Sequence, residues 1–191
     1  MKQFFFSQTP DHAIVAYLVK RYFEVAGKPL GRTILQKLCY LSKANGVPVS
    51  LHFEIHHYGP FSVDLFRVTD ALLVDSVIQD QNPEPSQSSY VSGPTCDAVL
   101  RRQRSVIRKQ KKVLDQIVGL FQGMSPTQME LITTTHYISC SGRSFGKVKK
   151  ENIIDTVFRI KGGKFTRPQI KTTFEVLESA GLLTWSPRST A

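Results

Sequence analysis

The stretch from Ile34 to Phe61, ILQKLCYLSKANGVPVSLHFEIHHYGPF, constrains the fold of this chain more than any other. Ile34, Leu35, Leu38 and Leu41 recur at helical spacing, and Asn45-Gly46 supplies the left-handed stop that ends a helix. The period then changes. Phe53, Ile55 and His57 alternate with His52, Glu54, His56 and Tyr58, which predicts a half-buried strand from Leu51 to Tyr58. Tyr58-Gly59-Pro60 closes it with a rigid corner. Glycine there takes backbone angles that other residues resist, and proline stops the pairing because it has no N–H to donate.

The flanking sequence supplies the rest of an α+β architecture. Thr9-Pro10-Asp11 opens a helix to about Ala26, with Ile14, Leu18, Tyr22 and Val25 on one face. Gly27-Lys28-Pro29-Leu30-Gly31 breaks it, and the helix of the opening stretch runs over Arg32–Ala44. Ser62 caps a third helix through about Leu73, and two short strands, Ser76–Gln79 and Ser89–Ser92, flank a polar loop. This is close to winged-helix order, with the first strand displaced. A long helix over about Cys96–Gln122 follows, its apolar stripe running from Val99 to Phe121. Ser125, Pro126 and Gln128 start another helix, to about Ile138. A Gly/Ser/Lys-rich loop over Cys140–Lys150 precedes helices at Glu151–Ile160 and Pro168–Ala180, then a short strand at Leu182–Trp185. The fold expected is mainly α with a small antiparallel β-sheet. A winged-helix-like half, residues 1–95, packs on a basic helical half, residues 96–185, which contains a second winged-helix-like element. The two form one compact unit with a tail at 186–191.

A helix carrying Leu35, Gln36, Lys37, Leu38 and Tyr40, before a strand that stops at Tyr58-Gly59-Pro60, resembles the antitoxin domain called Panacea and the related YwgA-like proteins. Met129–Tyr137 (MELITTTHY), Lys164-Phe165-Thr166, and Ile170 through Gly181-Leu182-Leu183 resemble the C-terminal part of YwgA-like proteins, as short islands. The resemblance implies a non-enzymatic regulatory protein that neutralises or regulates a partner protein by direct contact, such as a toxin encoded nearby. Gln36, Lys37, Tyr40, Tyr58 and Phe61 are the matched positions assigned to that partner, and Leu35 and Leu38 are assigned to the core.

Charge raises a second function. The net charge is +10 over 191 residues, and it is unevenly placed. Residues 1–96 hold eight Lys/Arg and eight Asp/Glu, whereas residues 97–191 hold seventeen against seven. Such asymmetry points to an acidic partner, nucleic acid or protein, unless the charge serves solubility alone. Arg101, Arg102, Arg104, Arg108, Lys109, Lys111 and Lys112 form a run without an internal acid, on the helix face left free by the apolar stripe. Phe165 through Leu183 also fits a recognition helix and wing, with Arg167, Gln169, Lys171 and Thr172 toward a groove, as well as it fits any amphipathic helix. The alternative function is therefore a winged-helix-like, nucleic-acid-binding transcriptional regulator. Its contacts would be Arg101, Arg102, Arg104, Arg108, Lys109 and Lys112, with Arg167, Gln169 and Lys171.

Other chemistries find little support. Cys39, Cys96 and Cys140 are scattered and odd in number, which fits a reducing cytoplasm rather than a disulfide framework. His52, Glu54 and His56 share a strand face but project about 7 Å apart, too far for one ion to join all three. His57 is expected to be partly buried beside the Gly59-Pro60 corner. His136 and Cys140 are one helical turn apart, and neither a depressed pKa nor an oxyanion hole is signalled for a nucleophile. Nucleotide-binding, zinc-protease and serine-hydrolase motifs are absent from the sequence, and the chain reads as no enzyme, without metal or cofactor. No apolar run approaches the about 20 residues a membrane span needs, nor does the start read as a signal peptide. A homodimer remains open.

Overall fold

The computed structural model describes residues 6–82, 84, 87–143 and 149–183, apart from the side chains of 142 and 143. In chain order its elements are α1 (Pro10–Ala26), β1 (Leu30–Gly31), α2 (Arg32–Ala44), β2 (Glu54–His56), β3 (Gly59–Phe61), α3 (Asp64–Val74), β4 (Ile78–Asp80), β5 (Ser89–Ser92), α4 (Cys96–Arg102), α5 (Arg104–Phe121), α6 (Pro126–Arg143), α7 (Lys150–Ile160) and α8 (Arg167–Ser179). The protein is mainly helical with small antiparallel sheets, an α+β fold.

The chain forms two compact units rather than the single one expected, and they do not divide at residue 95. The first unit runs up to Phe53 and resumes over Ser62–Met124; the second takes Glu54–Phe61 and the chain from Ser125 onward. The long basic helix thus belongs to the first unit. Its apolar face, with Ile107, Leu114, Ile117 and Val118 buried, packs against α1, and apolar burial outweighs chain order in choosing a neighbour.

In the first unit α1 is the hub. His12 through Val19 and Tyr22 are buried, because this helix is apolar on nearly every side and has α2, α3, α4 and α5 around it. Gly27 ends α1 at φ 64°, donating its N–H to the Phe23 carbonyl at 2.9 Å. Leu30 then pairs with Tyr90 and Gly31 with Ser89, while Ile78, Gln79 and Asp80 pair with Ser92, Val91 and Tyr90. The sheet order is β1-β5-β4. With β2 and β3 assigned to the other unit, the sequence of elements is α1-β1-α2-α3-β4-β5, the order of a winged helix. The first strand of this motif is Leu30–Gly31, not Leu51–Tyr58. Residues 51–53 find no partner strand: the His52 N–H donates to Asp64 at 3.0 Å and Lys43 donates to the Leu51 carbonyl. Only Glu54–His56 of the expected strand pairs, with Gly59–Phe61, so Pro60 joins the ladder opposite Ile55 instead of stopping it. In a two-stranded ribbon a proline nitrogen can face the free edge, where no N–H is missed.

The second unit is a three-helix cluster with this hairpin on α6. Its apolar centre holds Ile153, Ile154, Val157, Phe165, Ile170, Phe174, Leu177 and Leu183. Leu182 and Leu183 lie in a turn; the rest of the expected strand, Thr184 and Trp185, and the tail lie outside the described residues.

Two glycines make opposite demands on stability. A Cβ on Gly93 would stand 2.1 Å from the backbone oxygen of Ser76, at the close approach that starts the β4–β5 hairpin, whereas one on Gly119, in α5, meets nothing within 4 Å. Gly93→Ala should lower unfolding free energy by about 1–3 kcal/mol, from overpacking against backbone. Gly119→Ala should raise it by about 0.5–1 kcal/mol through reduced unfolded-state entropy. Chemical denaturation of the two variants checks both signs.

Candidate functional site

The positions matched to a partner-binding surface divide by burial. Gln36, Lys37 and Tyr40 are 3 %, 1 % and 4 % exposed, so they cannot reach an external partner, and their assignment as contacts is corrected. Gln36 is a core bracket: its Nε2 donates to the Ser62 carbonyl and its Oε1 accepts from the Ser62 N–H, both at 3.0 Å. Tyr40 packs edge-on against Phe53, ring centroids 5.6 Å apart. The helical period placed Leu35 and Leu38 inside; it did not reveal that both sides of α2 are covered. Tyr58, by contrast, is 61 % exposed, and Phe61 is half-buried with His56 stacked at 5.0 Å.

Tyr58 stands on a turn held from behind. Gly59 adopts φ 91°, which glycine allows, and the His57 carbonyl accepts from Lys161 Nζ at 2.7 Å. The Lys164 ammonium lies 5.6 Å from the Tyr58 ring centroid. Both lysines meet one buried carboxylate: Glu130 Oε2 is 2.7 Å from Lys164 and Oε1 is 3.0 Å from Lys161. The Oε1 contact is an ion pair at the same ammonium that donates to the His57 carbonyl. Burial opposes ionisation of Glu130, but the Lys164 and Lys161 ammoniums outweigh it and hold the carboxyl below its ordinary value. Burial likewise pushes Lys161 down against the pull of Glu130. His57 itself is exposed, with its ring against Tyr58, not partly buried as expected.

The other titratable clusters are structural. His136 Nε2 donates to the Leu182 carbonyl at 2.9 Å, and burial lowers its pKa and keeps it neutral. Cys140 is buried beside it, with Sγ 3.7 Å from Nε2. The imidazole clamps the chain after α8. Among the described residues no three His, Cys, Asp or Glu side chains converge on a metal position, and no helix is long and apolar enough to cross a membrane.

The basic run is where positive charge collects. The single helix expected over 96–122 is two helices that break at Gln103, whose Nε2 donates to the Gln8 carbonyl at 2.6 Å instead of capping α5. Arg101 and Arg102 close α4, where cations suit the helix dipole; Arg104 and Arg108 sit in the first turns of α5, where they oppose it. Arg101, Arg102, Arg104, Arg108, Lys109 and Lys112 are all exposed. Among the described residues none of Arg101, Arg104, Arg108, Lys109 and Lys112 is within salt-bridge distance of an acid. Lys111 differs. It donates to Asp115 at 2.5 Å, and Asp115 also accepts from Tyr17 at 2.6 Å and pairs with Arg21 at 3.1 Å. Arg102, Arg104, Ser105 and Arg108 line a surface cleft of about 470 Å³.

The C-terminal set does not form a comparable surface. Arg167 is ion-paired with Asp155 and stacked 4.6 Å over Phe158. Gln169 completes the α8 capping box: its Oε1 accepts from the Thr166 N–H at 2.8 Å. Of the predicted recognition residues Arg167, Gln169 and Lys171, the first two are thus engaged within the unit, and Lys171 is exposed. The Thr166-x-x-Gln169 spacing with Pro168 is a capping signature that identifies Gln169's role from sequence. The recognition position of the first unit is also unsuited to phosphates. Helix α3 carries Asp64 and Asp70 against Arg67, β4 ends on Asp80, and the loop after it carries Glu84.

Comparisons of the sequence with protein-family models and with curated proteins give no match.

The buried carboxylate generates a stability test. Glu130→Gln leaves the Lys161 charge buried without its partner and should cost about 3–5 kcal/mol at neutral pH, measured by denaturant unfolding. Because its folded pKa is depressed, Glu130 stabilises fully above the unfolded value of about 4.5 and loses that contribution as pH falls through the folded value. The acid limb of the stability profile should be shallower in Glu130→Gln than in the wild type. Superimposable profiles would show that the triad is not a stability element.

Proposed function

We propose that this chain is a non-enzymatic binding protein whose partner is nucleic acid, held through the exposed basic face of α4 and α5. The observation that supports it is a group of five cations, Arg101, Arg104, Arg108, Lys109 and Lys112, drawn from two helices and making no salt bridge among the described residues, although Asp97 lies near enough to Arg101 to feel its charge. Close like charges repel one another, and Arg104 and Arg108 also oppose the α5 dipole. Phosphates relieve both penalties, and counterion release adds to affinity. On this reading α4 and α5 meet the nucleic acid, while acidic α3 turns a winged-helix scaffold to a different use. The three free, buried cysteines suit a reducing cytoplasm, where we place the protein.

Replacing Arg101, Arg104, Arg108 and Lys112 with glutamine should weaken DNA binding and flatten its salt dependence by about 0.9 in log–log slope per lost phosphate contact. Filter binding over a salt series measures it, with Arg67→Gln on α3 as a control of matching charge change per site. Equal slopes for the quadruple variant and the wild type would leave these cations as a solvated face.

A second reading, the protein partner that the Panacea resemblance implies, is favoured by Tyr58, an exposed aromatic on a fixed turn of the kind that anchors interfaces. Tyr58→Ala should leave the melting temperature unchanged and abolish co-purification with a toxin encoded beside this gene. Retained capture would remove Tyr58 from the interface.

A further inference from the structure

We propose that the cleft at the α4–α5 break receives a phosphomonoester at the end of a nucleic-acid strand, an inference that rests on the nucleic-acid reading above. Three guanidinium-bearing residues, Arg102 from α4 and Arg104 and Arg108 from α5, line one open surface cleft of about 470 Å³ together with Ser105. That volume admits a whole phosphate group with its ester oxygens. A backbone phosphodiester carries one negative charge, and cations spaced along a helix serve it well. Arg104 and Arg108, neither within salt-bridge distance of an acid among the described residues, together offer two charges where one diester presents a single one. They match a terminal phosphate, which carries close to two charges at neutral pH and three strong acceptor oxygens.

Three further features accompany the arginines there. Ser105 lines the same cleft, and its hydroxyl donates or accepts by rotation. Gln103 supplies no side-chain cap to α5. The first turn of α5 also has no acid to fill the position internally, and Asp115, the acid on that helix, is held by Lys111, Tyr17 and Arg21. Nucleic acid is favoured over a phosphorylated peptide because the positive track continues past the cleft. Lys112 follows Arg108 by one helical turn, about 6 Å along the axis, and Lys109 and Arg101 flank it. These cations lie where the diesters next to a bound end would run.

The test is fluorescence anisotropy of the full chain with one 12-nucleotide single strand in three forms: 5′-phosphorylated, 3′-phosphorylated, and with two hydroxyl ends. At fixed salt and pH 7.5, at least one phosphorylated form should bind about tenfold tighter than the hydroxyl-ended strand, the gain expected from added charge-assisted hydrogen bonds. The preference should shrink as pH falls through the second phosphate ionisation near 6. Arg104→Gln with Arg108→Gln should abolish the preference while weak, salt-sensitive binding of all three strands persists. Arg101→Gln with Lys112→Gln should weaken all three alike and keep the preference. Salt-sensitive binding with equal affinity for the three strands would overturn the end-binding inference and leave the nucleic-acid reading standing; no binding of any strand would overturn both. Displacement of the phosphorylated strand by an uncharged-backbone phosphoserine peptide at equal concentration would assign the cleft to a phosphoprotein and overturn the nucleic-acid end.

Discussion

A carboxylate buried between two ammonium groups organises the second unit and ties its hairpin to its helices. Glu130 on α6 takes one oxygen to Lys161 and the other to Lys164, at either end of the turn that joins α7 to α8. Lys161 has protons to spare and directs one at the His57 carbonyl, so the triad also fixes the turn of the β2–β3 hairpin. The hairpin arises in the middle of the first unit's sequence and belongs to the second unit. A buried charge that lost any one of these partners would be left in a low-dielectric interior, a penalty large on the scale of a domain's total stability.

Removing that hairpin from the first unit leaves a winged-helix order whose charges are reversed from the usual use. Its α3 and β4–β5 loop are acidic, and the positive charge lies on α4 and α5. The same unit neutralises one lysine of the run with care: Asp115 gathers Lys111, Arg21 and the Tyr17 hydroxyl. That contrast gives the neighbouring Arg104 and Arg108 their meaning. The protein pairs Lys111 on this helix, whereas among the described residues no acid lies within salt-bridge distance of Arg104 or Arg108. In the second unit the opposite holds, since Arg167 is matched by Asp155 and Gln169 closes a capping box.

The features legible in the sequence were those set by neighbours in the chain. Helix starts at Thr9-Pro10 and Ser125-Pro126, the stop at Gly27, and the β4–β5 hairpin all depend on capping groups or turn residues within a few positions. The basic run was legible for the same reason, since side chains on one face of a helix are exposed together. The break at Gln103 was not; the residue there donates its side-chain amide to Gln8, far away in sequence. The burial of Gln36 and Lys37 was also hidden. Polar residues read as surface unless a specific long-range partner, such as the Ser62 backbone for Gln36, satisfies them inside.

Sequence by itself determined the mainly helical α+β class, the amphipathic faces of α2 and α5, and the segregation of positive charge into residues 97–191, since periodicity and composition are local quantities. Tertiary structure alone decided that Leu30–Gly31 rather than Leu51–Tyr58 starts the sheet, that 54–61 joins the second unit, and that Arg167 meets an acid while Arg104 and Arg108, among the described residues, have none within salt-bridge distance. These outcomes depend on which distant groups meet. A strand chooses its partner, and a charge its counterion, by proximity in the folded chain, and no local pattern encodes that proximity.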